Sequence, residues 1–145
     1  MGYEEEESLA FVEEIIDSLG FQGIGGKVSV GLGKFFMMCP EELEDSIVER
    51  LEKKKGQFLL LTTALPTEVE MVKVLDNSSY LLERRGGFIQ SAFYAEELVK
   101  KQEQFFLQAG SVVKERFEGD IYNVGKNGNH PVWRYGKPIL MEVSN

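Results

Sequence analysis

From Glu5 to Leu19 the apolar residues Leu9, Phe11, Val12, Ile15, Ile16 and Leu19 recur at helical spacing, and Gly20 follows as a stop. Val28, Val30 and Leu32, then Phe35 to Met38, alternate with glycine and read as an extended segment after a turn. A second helix is predicted over Pro40 to Lys54. Pro40 suits its first turn, while Glu41 and Glu42 at one end and Lys53 to Lys55 at the other complement the dipole, with Gly56 as the stop. The short apolar run Phe58 to Thr62 reads as a buried strand, and Pro66-Thr67-Glu68 opens a short helix to about Leu75.

Beyond that point the period shortens. Tyr80 to Arg85 is strand-like, Gly86-Gly87 breaks it, and Phe88 to Phe93 resumes the alternation. Local propensity places a helix over 94–108, carried by Ala95-Glu96-Glu97-Leu98, although Phe105-Phe106-Leu107 and Gly110-Ser111-Val112-Val113 fit strands equally well. Ile121 to Val124 and Val132 to Tyr135 read as strands flanking a turn-rich loop, Gly125 to Pro131, and Ile139 to Val143 as a last strand. The sum is an α+β arrangement with a mostly antiparallel sheet.

Length and charge narrow the class. The chain has 145 residues, about one domain, and no internal repeat is visible. No stretch approaches ~18 consecutive apolar residues and Glu4 to Glu7 replace a basic signal region, which reads as a cytosolic protein with no membrane partner. One cysteine, Cys39, and one histidine, His130, rule out an internal disulfide framework and argue against a zinc site; both read as structural. The net charge of −8 argues at first against nucleic acid, but the distribution is uneven. Residues 1–20 carry seven acids and no base, residues 40–56 six acids against four bases, and residues 21–39 only Lys27 and Lys34. The acids fall on the two predicted helices, as solvated outer faces do.

The acid-free stretch is also the glycine-rich one. Gly23-Ile24-Gly25-Gly26-Lys27-Val28-Ser29-Val30-Gly31-Leu32-Gly33-Lys34-Phe35 holds five glycines, and consecutive amides in such a turn form a nest for phosphate or sugar oxygens. Two familiar phosphate loops are excluded. Gly26-Lys27 is followed by Val28 where a P-loop needs Ser or Thr, with Phe21 in place of its first glycine. Gly23-Ile24-Gly25 follows a helix and precedes an extended segment, the reverse of a dinucleotide fingerprint. No nucleotide cofactor follows. No carboxylate pair, activated nucleophile or metal cluster can be pointed to, so no catalytic residue is assigned.

The same loop resembles the glycine-rich loop of the RAMP superfamily, the RNA-binding subunits of CRISPR effector complexes. Within it the likeness is to the fourth subunit of type III-A (Csm) complexes, which holds the 5′ end of the guide RNA. Leu61 to Pro66 is similar to that family's strand ending in proline, and Arg84-Arg85-Gly86-Gly87-Phe88-Ile89 to its Arg-Gly-Gly hairpin. Ala109 to Val113 is similar to its Gly-Ser-Val strand, and Asn129 to Lys137 to its C-terminal His-Pro-Val-x-Arg-Tyr-Gly. Order and spacing agree over residues about 9–143.

The resemblance implies a ferredoxin-like (RRM-like) RAMP domain with added β-hairpins. It covers the second of the family's two halves, as a single domain over 1–145 with the N-terminal half absent from this chain. It implies binding without catalysis: the subunit caps the repeat-derived 5′ handle of the crRNA and touches the large polymerase-like subunit, the backbone RAMP subunit and its own N-terminal half. Carried onto this sequence, Gly23, Gly25, Gly26, Gly31 and Gly33 shape the loop, Lys27 and Lys34 neutralise phosphate, Ser29 hydrogen-bonds it, and Arg84 and Arg85 assist. Relatives often carry arginine where this chain has Val28, so charge contact from the loop falls to the two lysines. For the arginines, phosphate contact stands beside pairing with Glu83 or a helix carboxylate. For His130, Trp133, Arg134 and Tyr135, packing stands beside RNA stacking. The rival function is a scaffold module whose loop docks protein.

Overall fold

The computed structural model describes residues 6–25, 27–38, 43–91 and 93–143. The chain divides into two compact units, Met1–Leu43 and Glu44–Asn145.

In the first unit, helix α1 spans Glu6–Gln22. It runs past Gly20, the expected stop, because that glycine serves a close crossing. Gly20 is buried, its carbonyl accepts from the Phe35 N–H at 3.3 Å, and a Cβ there would stand 2.5 Å from the Phe35 oxygen. The helix ends instead at Gly23, in the left-handed conformation (φ +88°), whose N–H donates to the Leu19 carbonyl at 2.7 Å. The extended segment expected over 28–38 is replaced by a 3-10 turn at Val28–Val30, with no strand over residues 31–38. Cys39 and Pro40 to Glu42 lie outside the described residues.

In the second unit, α2 (Asp45–Glu52) is shorter than expected, and Lys53 forms its C-cap. Strand β1 (Gln57–Leu60) is central. It pairs antiparallel with β4 (Val112–Val113) on one side and β7 (Leu140–Val143) on the other. Its period of two puts Phe58 and Leu60 inward. Opposite them stand Val113 and Leu140, and all four are buried. Helix α3 (Glu68–Leu75) adds Val74 and Leu75 to the same cluster, joined by Ala64, Leu107 and Phe117. Burying a side chain the size of Phe58 or Leu60 contributes roughly 1.5–3 kcal/mol.

A hairpin of β2 (Leu82–Arg85) and β3 (Gln104–Leu107) is bridged to this sheet, with the Ala64 and Leu107 main chains exchanging hydrogen bonds at 3.1 and 2.8 Å. The tail forms a second hairpin, β5 (Ile121–Asn123) with β6 (Trp133–Tyr135). Among the described residues every strand pair is antiparallel, in one three-stranded and two two-stranded sheets. The α+β class with an antiparallel sheet therefore holds.

Two further local expectations do not. Phe88 to Phe93 makes one bridge, Phe88 to Lys100, and residues 94–103 form no helix. Long-range contacts override propensity there. Tyr94 is buried, and the amides of Ile89, Lys101 and Gln102 donate to Val99, Gly87 and Val124 instead of to a helix ladder.

Glu70 ties the start of α3 to the segment before β5. Its carboxylate accepts from the Thr67 N–H (2.9 Å) and hydroxyl (2.8 Å), completing a capping box, and from the N–H groups of Glu118 (2.8 Å) and Gly119 (3.3 Å). Burial alone raises the Glu70 pKa, but these donors outweigh it and hold the carboxyl below its ordinary value. Glu70→Ala is expected to lower stability at neutral pH by about 1–2 kcal/mol in urea unfolding. Because the folded pKa is the depressed one, this contribution is complete above the ordinary glutamate range and is lost as pH falls through the folded value. The unfolding curves of parent and variant should then converge in acid. A gap that persists unchanged would remove the carboxylate from the account.

Candidate nucleic-acid interface

The glycine loop is built by main-chain hydrogen bonds folded back on themselves. The Ile24 N–H donates to Gly33 O at 2.9 Å. The Val30 and Leu32 amides turn back to Lys27 O at 3.2 and 3.3 Å, and the Gly31 N–H reaches Val28 O at 2.9 Å. These amides, with those of Gly23 and Phe35, are engaged inside the first unit and cannot face an anion, so the nest is narrower than the sequence suggests. The amides of Gly25, Lys27, Val28, Ser29, Gly33 and Lys34 make no main-chain hydrogen bond to another described residue. Lys27, Ser29 and Lys34 all stand exposed, and Gly26 lies outside the described residues.

The glycines are required for different reasons. Gly25 (φ +111°) and Gly31 (φ +82°) have open space where a Cβ would be, so only their backbone conformation selects glycine. At Gly33 (φ +83°) a Cβ would collide with the Ile24 carbonyl, and at Gly23 it would lie 3.0 Å from the Leu32 oxygen. Two backbone segments cross here with no room for a side chain.

Arg84 and Arg85 sit in the second unit, on opposite faces of β2. Arg84 lies on the open face beside its cross-strand partner Phe105, with a long, exposed contact to Glu103 at 3.9 Å. Arg85 turns inward: its Nε donates to Glu83 at 3.1 Å and its guanidinium covers the Phe106 ring at 5.2 Å. Arg84 is thus the more accessible arginine, loosely paired with Glu103, and Arg85 is a packing residue. Phe105 is exposed, and sequence reading, which placed it in a segment fitting helix or strand, did not single it out as a site residue.

The tail cluster splits in the same way. Arg134 donates to the carbonyls of Arg85 (2.9 Å), Gln102 (3.4 Å) and Gly86 (3.5 Å) and to the Gln104 side chain (3.3 Å), tying the two hairpins together. Burial lowers its pKa, and the nearby Arg85 charge adds to that. His130 Nδ1 donates to the Pro131 carbonyl at 2.9 Å, its Nε2 shares a hydrogen bond with the Ser91 hydroxyl at 3.0 Å, and its ring meets Tyr94 edge-on. Trp133 and Tyr135 remain exposed. Among the described residues no group of His, Cys, Asp or Glu is placed to hold a metal ion, and no helix is long and apolar enough to cross a membrane.

The family model described as the CRISPR Csm4 C-terminal domain matches residues 53–143. The chain belongs to that Csm4 family. The CRISPR system Cms protein Csm4 of Mycobacterium tuberculosis (strain CDC 1551 / Oshkosh) is 32% identical over 124 residues, covering 86% of this chain and 40% of that protein. Its counterpart from Streptococcus thermophilus is 32% identical over 136 residues, covering 91% of this chain and 44% of that protein. Both alignments reach into the first unit, since each covers more of the chain than residues 44–145 provide. A chain in the crystal structure of the Csm3-Csm4 subcomplex in the type III-A CRISPR-Cas interference complex superposes with a TM-score of 0.68 at 24% identity. It covers 99% of this chain and 42% of its own length, and shows that the fold is shared. The chain thus spans about two fifths of the length of these relatives.

The glycine geometry separates the Csm4-family loop's positions by experiment. Gly31→Asn is expected to leave the Ile24 amide protected from hydrogen exchange, because Asn tolerates the left-handed region, whereas Gly31→Ala should weaken protection by about 1–2 kcal/mol. Gly33→Asn should abolish protection as fully as Gly33→Ala, since the obstacle there is the Ile24 carbonyl. Equal tolerance at the two sites would contradict the crossing.

Proposed function

We propose that this chain is the C-terminal RAMP half, ferredoxin-like in plan, of the crRNA-binding subunit of a type III-A CRISPR complex. It acts in the cytoplasm, without catalysis, to hold the repeat-derived 5′ handle. The observation that carries the reading is the glycine loop: in a Csm4-family chain of net charge −8, an acid-free stretch presents Lys27, Ser29 and Lys34 among glycines that bare the backbone between them. Single-stranded RNA is held by cations on its phosphates and aromatic faces under its bases. The loop offers the first, and Arg84 with Phe105 offers both on one strand face. Partner subunits follow from the same reading. The backbone RAMP subunit is supported by the likeness to a chain from a Csm3-Csm4 subcomplex, and the large polymerase-like subunit and the N-terminal half complete the set.

A second reading, a protein-docking scaffold without RNA contact, is favoured by one feature. Helix α1 leaves Phe11, Ile15 and Leu19 exposed along its length, the kind of apolar stripe that a protein partner covers.

An anisotropy titration with a 5′-handle RNA and a scrambled RNA of equal length separates the two. The handle should bind preferentially at physiological salt, and K27Q/K34Q should lower the slope of log affinity against log salt by roughly 1.4, about 0.7 for each lost phosphate contact. Arg84→Gln should weaken binding with little change in stability, and Arg85→Gln should do the reverse. Equal binding of both RNAs, with an unchanged slope in the double variant, would leave the scaffold reading standing.

A further inference from the structure

A second cationic site lies at one end of the three-stranded sheet, built from segments that the sequence keeps far apart. Lys53 to Lys55 follow α2, and Lys114 to Arg116 follow β4. The antiparallel pairing of β1 with β4, Phe58 opposite Val113, brings the two runs together. They line a cleft of about 380 Å³ whose walls are Lys54, Lys55, Gly56, Lys114, Glu115 and Arg116. Gly56 (φ +133°) leaves the floor as bare backbone with the Glu142 side chain beside it.

One of these charges, Arg116, is held in place, and the lysines are exposed and make no ion pair with a described residue. Arg116 donates to Lys53 O at 2.7 Å and Leu140 O at 3.4 Å, and its guanidinium lies 5.0 Å from the Phe58 ring centroid, so main-chain carbonyls and an aromatic face hold it in place of a carboxylate. Among the described residues, no ion pair joins Lys54, Lys55 or Lys114 to an acid. In a chain of net charge −8, four cations around one cleft are a concentrated exception, with Glu115 and Glu142 as the nearby acids. No large apolar side chain lines the cleft, whereas the buried centre of a protein interface is apolar and depleted of charge. Phosphodiester recognition needs charge alone.

We infer that this cleft is a second RNA-backbone contact, in which Lys54, Lys55 and Lys114 neutralise phosphates of a single strand without reading its bases. The inference rests on the proposed RNA-binding role and adds to it a site outside the glycine loop and the β2–β3 hairpin.

The test compares the whole chain with K54Q/K55Q/K114Q and, in parallel, K27Q/K34Q, using a fluorescent single-stranded RNA titrated at several salt concentrations. The triple variant is expected to lower the salt slope by roughly 2, at about 0.7 per contact, and to weaken handle and scrambled RNA by the same factor. Its thermal midpoint should match the parent's, since the three lysines are exposed. RNA carrying 4-thiouridine should crosslink to peptides spanning residues 53–58 and 112–117.

A triple variant with the parental slope, while K27Q/K34Q lowers it, would overturn the second contact and leave the loop reading in place. The reverse pattern would support the cleft and overturn the loop. A parent chain that binds no RNA would overturn both. Loss of poly-glutamate binding in the triple variant, with RNA binding intact, would reassign the cleft to an acidic protein and overturn the inference.

Discussion

Strand β1 is paired on both edges and buried on one face, and the second unit is arranged around that constraint. Phe58 and Leu60 lose their hydration only if β4, β7 and α3 all cover them, so the sheet, the helix and the return of the chain at Leu140 form as one cooperative core. Leu107 of the β2–β3 hairpin is buried in that core, and main-chain bridges add to the attachment. Ala64 exchanges hydrogen bonds with Leu107, Ser79 does so with Val112, and the Leu65 N–H donates to Gly136 O at 2.9 Å. Surfaces mounted in this way can keep polar and aromatic groups on the outside. Arg84 and Phe105 occupy such a position.

The first unit follows a different logic. Apart from the glycine at the α1 crossing, its described residues are not buried, and its order comes from backbone hydrogen bonds and positive-φ glycines. A loop made in that way is defined in shape without a core beneath it. Half of its described amides serve that shape, and the others, with Lys27 and Lys34, stand outside the main-chain hydrogen bonding. The chemistry is therefore better suited to a charged, extended backbone than to a small ligand enclosed in a pocket.

Charge is distributed to match. Acids are dense along α1 and α2, while Lys27 and Lys34 stand in an acid-free loop and Lys54, Lys55, Lys114 and Arg116 gather at the β1–β4 end. A negative total limits indiscriminate attachment to polyanions.

Much of this was legible in the sequence where the determinants are local. The apolar period of α1, the Pro66-Thr67 start of α3 with Glu70 three residues beyond its cap, and the strand patterns at Phe58, Tyr80, Ile121 and Ile139 each depend on neighbours within a turn or a pleat. So did the glycine loop as a place of positive φ. The tertiary structure decided what depends on distant partners. It denied residues 94–103 the helix their propensity favours, because their amides are claimed by Gly87 and Val124. It carried α1 past Gly20, because the Phe35 backbone crosses there. Alternation along β2 implied that Arg84 and Arg85 face opposite ways, but only packing against Phe106 settled which one is the more accessible. The cationic cleft belongs to the same class. Lys53 to Lys55 alone read as a helix end, and they acquire a partner only when strand register, set by the burial of Phe58 against Val113, brings Lys114 and Arg116 beside them.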